Sequence, residues 1–192
     1  MSEESPTILT CDIHTTRIFS THIPYQLLAK TLDSSECRIV NVTRNPKDTL
    51  TSTWHFMNKW KKAEEEPWPL EVAVEKFCNG IVPCGPYYDH VMGYKKESLE
   101  KPNKVLFITY VKLMNEPKTH VKKLAEFLGC PFQGEDKEKQ VEDIVKSCSF
   151  EVLSNHEVNK FEDFPSWFQV PFNSFFRRGV GGGSKKIIST LR

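Results

Sequence analysis

The residues best suited to chemistry lie where a short apolar segment runs into the start of a helix. Residues 37–43 are rich in β-branched side chains, which favour a buried strand. Arg44 follows directly, and Pro46 fits the first position of a helix. A cation at a strand end, beside the unpaired N–H groups of a helix start, favours an oxyanion such as phosphate. Ser52, about two turns along the helix, can offer a hydroxyl. The alternative is an arginine that only caps a strand.

A second basic segment comes late in the sequence. Arg177 and Arg178 precede Gly179 and further glycines. Backbone N–H groups and guanidinium groups in such a segment can close over a phosphate. The alternative is a solvated basic tail. The segment does not match the GxxxxGK[ST] template, because Ser184 stands where the second glycine belongs. This mismatch disfavours a phosphotransferase of the P-loop kind.

The elements that must position these residues alternate between strand and helix. Strands are predicted over residues 16–21, 37–43 and 104–110, and the apolarity of the last predicts burial on both faces. Helices are predicted over 24–30, 46–63, 70–78, 87–99 and 117–128, then one helix over 143–152 with a short strand near 149–153. The alternation predicts an α/β domain with a mostly parallel sheet. We expect residues 1–192 to form one domain, with residues 1–15 disordered and 180–192 a basic, glycine-rich tail.

Composition disfavours several other classes. The net charge of +1 lacks the basic excess of a nucleic-acid binder, so no nucleic-acid partner is expected. No apolar run approaches the about 18 residues that a membrane helix needs, and no secretory signal opens the sequence. The six cysteines form no CxxC pair, which predicts reduced thiols in the cytosol. The six histidines show no HExxH spacing, so no metal site is predicted.

Taken in order, these segments resemble the cytosolic sulfotransferase family, and most closely its plant branch. The matching blocks are Thr21–Pro24, Arg44–Asp48 with Ser52, Leu106–Tyr110 followed by Leu124–Gly129, and Phe175–Gly179. The resemblance implies a P-loop-NTPase-like parallel β-sheet flanked by helices. It also implies an enzyme that transfers a sulfonate group from 3′-phosphoadenosine 5′-phosphosulfate (PAPS) to the hydroxyl of a small organic acceptor. No metal, a cytoplasmic location and a possible homodimer complete the expectation.

The resemblance also assigns the donor-binding residues. Arg44 and Ser52 match the pair that holds the donor's 3′-phosphate, in agreement with the anion site read from the residues themselves. The Arg177, Arg178 and Gly179 segment matches residues that close on the same phosphate.

Two aromatic residues match contacts to the rest of the nucleotide. Tyr110 matches a contact to the adenosine, and Phe150 matches an aromatic that stacks on adenine. The alternative for Phe150 is simple core packing.

On the acceptor side, His22 matches the general base that takes the proton from the acceptor hydroxyl. The near-neutral pKa of histidine suits that task. If the family resemblance is set aside, the sequence indicates that His22 is a surface histidine at the end of a strand. Phe56, Trp60 and Tyr88 are candidates for the acceptor pocket, but they do not choose among flavonoids, steroids and desulfo-glucosinolates.

The sequence departs from the family at the loop that holds the 5′-phosphosulfate. Family members carry a loop close to TYPKSGTTW between a strand and a helix, and its lysine stabilises charge on the leaving group. No glycine precedes Gly80, so no such loop lies upstream of Arg44. Gly182–Lys186 also lacks the Asp and Trp of the family's Gly-Asp-Trp-Lys-Asn. We therefore expect the fold to lack the family's first strand and the turnover to be very low. The alternative is a truncated pseudoenzyme that binds the 3′ half of the nucleotide without turnover.

Overall fold

The structure is a computed structural model, and it describes residues 17–59, 65–160, 172–177 and 179. The expected disorder of residues 1–15, the expected tail over 180–192, and the residues Trp60 and Arg178 lie outside these ranges.

Eight α-helices and two strands follow one another along the described part of the chain. The helices are α1 Tyr25–Asp33, α2 Pro46–Lys59, α3 Leu70–Cys78, α4 Tyr87–Glu100, α5 Tyr110–Asn115, α6 Pro117–Leu128, α7 Lys137–Ser147 and α8 Phe150–Asn155. The strands are β1 Ile39–Thr43 and β2 Val105–Thr109, and short 3₁₀ turns cover Glu157–Asn159 and Phe172–Phe175. None of the helices in these ranges combines the length and the apolarity that crossing a membrane requires.

The two strands pair in parallel, in a register that runs from Ile39 opposite Val105 to Thr43 opposite Thr109. A parallel pair needs a long crossover, and α2, α3 and α4 supply it. Because both strands end at the same edge, the residues that follow them, Arg44 and Tyr110, become neighbours. That edge is the part of an α/β sheet where ligands usually bind.

The core lies between the sheet, α1 and α4. Its centre is a cluster of Tyr25, Tyr94 and Val105, with 2%, 4% and 1% of their surfaces exposed. The two tyrosine rings meet edge to face with their centroids 5.6 Å apart. Consecutive Val105 and Leu106 are both buried, so β2 is covered on both faces, as its apolarity predicts.

Two predicted strands are wrong. Residues 17–24 have no regular structure, and Ile18 and Phe19 are 92% and 81% exposed. Alternation alone does not make a strand, and no described strand pairs with this segment. The strand expected near 149–153 is instead the start of α8, because Ser149 caps it by accepting a hydrogen bond from the Val152 N–H at 3.3 Å. The cap also separates α8 from α7, so the single helix expected over 143–152 is two.

Candidate functional site

A cleft of about 830 Å³ opens at the carboxyl edge of the strand pair. Four of the predicted site residues line it: His22, Arg44, Ser52 and Arg177. They come from four different stretches of the chain, namely the segment before α1, the end of β1, the middle of α2 and the segment after the last 3₁₀ turn. Ligand pockets commonly enclose about 300–1,000 Å³, so the cleft can hold an organic ligand.

Arg44 is fixed at the edge of the sheet by contacts on several sides. The Tyr87 hydroxyl donates a hydrogen bond to the Arg44 carbonyl oxygen. The Arg44 guanidinium lies 3.7 Å from the carboxylate of the buried Asp48 and 4.7 Å from the centre of the Tyr110 ring. A carboxylate on one side and an aromatic face on the other hold the guanidinium close to the first turn of α2.

The rotation of α2 about its axis is set by hydrogen bonds on the side away from Ser52. The Trp54 Nε1–H donates to the Trp68 carbonyl at 2.7 Å, and the Trp68 N–H donates to Asn58 Oδ1 at 2.8 Å. Residues 54 and 58 are four apart and share one side of the helix. The opposite side, with Ser52 and Phe56, therefore faces the cleft.

Aromatic contacts place Arg177 in the cleft. The Phe175 ring packs on Phe56 of α2 with centroids 5.1 Å apart, and the Phe176 ring packs on Phe150 of α8 at 5.8 Å. Two successive phenylalanines thus anchor the segment to two different helices. Arg177 follows them and reaches the cleft wall.

Gly179 shows why this segment needs a glycine. Its φ is +65°, and a Cβ atom there would lie 2.3 Å from the Phe150 ring. The Tyr110 hydroxyl donates a hydrogen bond to the Gly179 carbonyl at 3.3 Å. The structure therefore brings Tyr110, Phe150 and Gly179 together beside the cleft, although none of the three lines it. Arg178 is outside the described residues.

His22 lies at the cleft on the exposed segment before α1. The buried Tyr94 of α4 holds this segment, because its hydroxyl donates a hydrogen bond to the carbonyl of Ile23 at 2.9 Å. Burial raises the pKa of Tyr94, which keeps the hydroxyl protonated as the donor. A core residue thus fixes the backbone next to His22.

One face of α4 contributes residues that the sequence analysis did not assign to the site. Tyr87, His90 and Val91 line the cleft, and they lie three and four positions apart with Tyr94 completing the stripe. That helical periodicity is the signal that could have found them. Tyr88, expected in the acceptor pocket, does not line the cleft and is 65% exposed. Phe56 does line it, and Trp60 is outside the described residues.

The charge of the cleft is one-sided. Among the described residues that line it, Arg44, Lys59 and Arg177 are cations and none is an aspartate or glutamate. Three histidines, His22, His55 and His90, add further hydrogen-bonding groups to the lining. Such a lining favours an anionic ligand.

The amino edge of the same strands is organised differently. The Lys101 ammonium lies 2.7 Å from the Asp33 carboxylate and 2.9 Å from that of Glu97, and the Tyr25 hydroxyl donates to Asp33 at 2.7 Å. The Lys101 hydrogen bond holds the pKa of Asp33 below its usual value. Burial, with the Asp33 hydrogen bond, raises the pKa of Tyr25 to about 12. Here the charges satisfy one another.

A parallel strand pair whose first strand is followed by Arg44, beside a cationic cleft with no carboxylate among its described lining residues, defines an α/β protein with a cleft that favours anions. The family model of the sulfotransferase domain matches residues 9–190, and the chain belongs to this family.

The chain is similar to named relatives over most of its length. Cytosolic sulfotransferase 12 of Arabidopsis thaliana is 42% identical over 186 residues, which cover 97% of this chain and 56% of the relative. The flavonol 3-sulfotransferase of Flaveria bidentis is 47% identical over 173 residues, which cover 88% of this chain and 55% of the relative. A crystal structure of a mouse sulfotransferase complexed with PAP superimposes with a TM-score of 0.67 at 24% identity, and covers 89% of this chain and 61% of that one.

These comparisons confirm the predicted family and the α/β fold with parallel strands. The chain spans about half the length of the curated relatives that it matches. The roles of the individual site residues remain predictions.

Proposed function

We propose that the chain binds PAPS and takes part in the transfer of its sulfonate group to the hydroxyl of a small organic acceptor. One observation carries the proposal: His22, Arg44, Ser52 and Arg177 line a single cleft in a chain of the sulfotransferase family. The named relatives are cytosolic sulfotransferases, which also supports a cytoplasmic location.

Arg44, Ser52 and Arg177 would hold the 3′-phosphate. Arg44 lies at the first turn of α2, where N–H groups point outward, and Arg177 approaches from the segment anchored by Phe175 and Phe176. The cationic lining suits a nucleotide with several phosphate charges, and the mouse relative was solved with PAP. The bound donor would supply the sulfonate group.

His22 would take the proton from the acceptor hydroxyl. A general base must lie within hydrogen-bond reach of that proton, and the Tyr94 hydrogen bond to Ile23 fixes the backbone beside His22. Phe56, Phe77 and Tyr87 offer aromatic walls for a flat acceptor. A relative named for a flavonol supports an acceptor of that kind.

The decisive experiment measures nucleotide binding by calorimetry. We expect adenosine 3′,5′-bisphosphate to bind much more tightly than adenosine 5′-monophosphate, which lacks the 3′-phosphate. A charge-assisted hydrogen bond contributes about 1.5–3 kcal/mol, so Arg44→Ala should weaken bisphosphate binding by about one to two powers of ten.

Arg38→Ala is the matched control, because Arg38 precedes the amino end of β1 whereas Arg44 follows its carboxyl end. It should leave the affinity unchanged. Equal affinities for the two nucleotides, or equal losses in the two variants, would contradict the proposal.

A further inference from the structure

Asn41 is a polar residue at an inward position of an apolar strand. Ile39, Asn41 and Thr43 share one face of β1, because side chains alternate along a strand. Ile39 packs against the core cluster. Asn41 lines the cleft, and its Oδ1 is buried without a hydrogen bond from any residue that the structure describes.

Thr43, two positions further, is the instructive contrast. Its Oγ1 lies 3.3 Å from the Tyr87 hydroxyl oxygen. Tyr87 has a single hydroxyl proton, which it donates to the Arg44 carbonyl, so the Thr43 hydroxyl is the donor to Tyr87. Among the described residues, Thr43 therefore has a hydrogen-bond partner and Asn41 Oδ1 has none. A buried polar atom without a partner destabilises a fold, and it calls for an explanation.

The chemistry of the unpaired atom narrows its partner. A carbonyl oxygen accepts hydrogen bonds and repels phosphate or sulfonate oxygens. The Oδ1 atom therefore does not suit the anionic nucleotide that supplies the sulfonate group. No hydrogen bond from a described residue holds Oδ1 in place, and the terminal torsion of asparagine is soft, so the amide can turn Oδ1 toward the cleft. A hydroxyl on a ligand between the aromatic walls would supply the missing proton.

We infer that Asn41 accepts a hydrogen bond from a second hydroxyl of the acceptor, so that dihydroxylated aromatic compounds are the preferred acceptor class. This inference rests on the proposed function, in which His22 receives the proton of the first hydroxyl. Asn41 is then a specificity-determining residue on the floor of the cleft.

The test compares the binding of 2-naphthol with that of 2,3-, 2,6- and 2,7-dihydroxynaphthalene to the whole chain. Calorimetric titrations are made with and without adenosine 3′,5′-bisphosphate. At least one diol should bind about fivefold more tightly than 2-naphthol, which exceeds the roughly twofold gain expected from having two hydroxyls. Asn41→Val, which suits a strand, should reduce the difference to about twofold or less.

Thermal unfolding of the ligand-free protein gives an independent measure. Asn41→Val should raise the melting temperature, because it removes an unsatisfied buried acceptor. Thr43→Val should lower it, because it removes the bond to Tyr87. If Asn41→Val does not fold, the claim that Asn41 destabilises the ligand-free protein is wrong. Asn41→Ala then still tests the preference for a diol.

Three results would overturn the inference: no binding of any naphthalene, no preference for a diol, or a preference that survives the loss of the amide. The outcome is separable from that of the proposed function. If the bisphosphate fails to bind while the Asn41-dependent diol preference persists, the donor assignment fails and the Asn41 site stands.

Discussion

The two edges of one strand pair have opposite electrostatic designs. At the amino edge, Lys101, Asp33 and Tyr25 form a closed set of hydrogen bonds and ion pairs. At the carboxyl edge, Arg44 and Arg177 line a cleft without a carboxylate among its described lining residues. Arg44 also pairs with the buried Asp48, but Asp48 does not line the cleft, so the described charged groups that line the open volume are all cations and favour an anionic ligand. Mutations at the amino edge should therefore change the stability of the fold, whereas mutations at the carboxyl edge should change ligand binding or transfer.

The largest effect is expected at the carboxyl edge, on transfer rather than on binding. Whatever rate of sulfonate transfer from PAPS to 2-naphthol the chain shows, His22→Ala should reduce it by about 10²–10⁴, the usual contribution of a general base. The affinity for adenosine 3′,5′-bisphosphate should stay nearly unchanged, since Arg44, Ser52 and Arg177 remain. A variant that loses affinity and rate together would instead identify His22 as a structural residue.

A smaller effect is expected where the core supports the cleft. Tyr94→Phe keeps the buried ring but removes the hydroxyl that holds the Ile23 carbonyl. The free energy of unfolding should fall by about 0.5–1.5 kcal/mol in a denaturant titration. Transfer should slow by less than in His22→Ala, with unchanged affinity for the bisphosphate.

Tyr88→Phe is the matched control on the same helix, because Tyr88 is 65% exposed. It should change neither quantity. If the two tyrosine variants behave alike, the hydrogen bond to Ile23 does not position His22.

The smallest effect is expected at the amino edge, and it depends on pH. Lys101 lowers the pKa of Asp33 from 3.8, so its ionised form is favoured in the folded state. That contribution to stability is present above pH 3.8 and is lost as the pH falls through the lower, folded-state pKa. Asp33→Asn should therefore reduce the free energy of unfolding at pH 7 and weaken its decline below pH 3.8.

Denaturant titrations across the acid range check this expectation, with the exposed Asp143→Asn as the control. Nucleotide affinity at pH 7 should not change in Asp33→Asn. A loss of nucleotide affinity in Asp33→Asn would contradict the conclusion that the amino edge serves stability and the carboxyl edge serves binding.

The sequence predicts best those parts of the site that lie within one short stretch. Arg44 and Ser52 belong to a strand–helix junction whose local signals are strong, so their place in the cleft followed from the chain itself. The link from Tyr94 to Ile23 joins residues 71 positions apart, and no local pattern indicates it. In the sequence, Asn41 is an ordinary polar residue within an apolar segment. Only the structure shows that its Oδ1 is buried without a described hydrogen-bond partner.

The errors have physical causes of the same kind. The alternation of residues 16–21 satisfies the pattern of a strand, but a strand also needs a neighbour to receive its hydrogen bonds. Near residue 150 the apolar side chains suggested a strand, whereas Ser149 provides the cap of a helix. In both places the structure depends on a hydrogen-bonding group that the hydrophobic pattern does not include: a neighbouring strand in the first case and the Ser149 side chain in the second.

The contacts of residues 172–177 and Gly179 with earlier parts of the chain affect the order of events during synthesis. Gly179 lies 69 positions after Tyr110, whose hydroxyl donates a hydrogen bond to the Gly179 carbonyl oxygen. Arg177 reaches the cleft only after Phe175 has packed on α2 and Phe176 on α8. The strand pair can therefore form on the ribosome long before the cleft has its second arginine. A nascent chain would be folded first and competent to bind nucleotide only later, and a bound nucleotide would in turn hold the late segment in place.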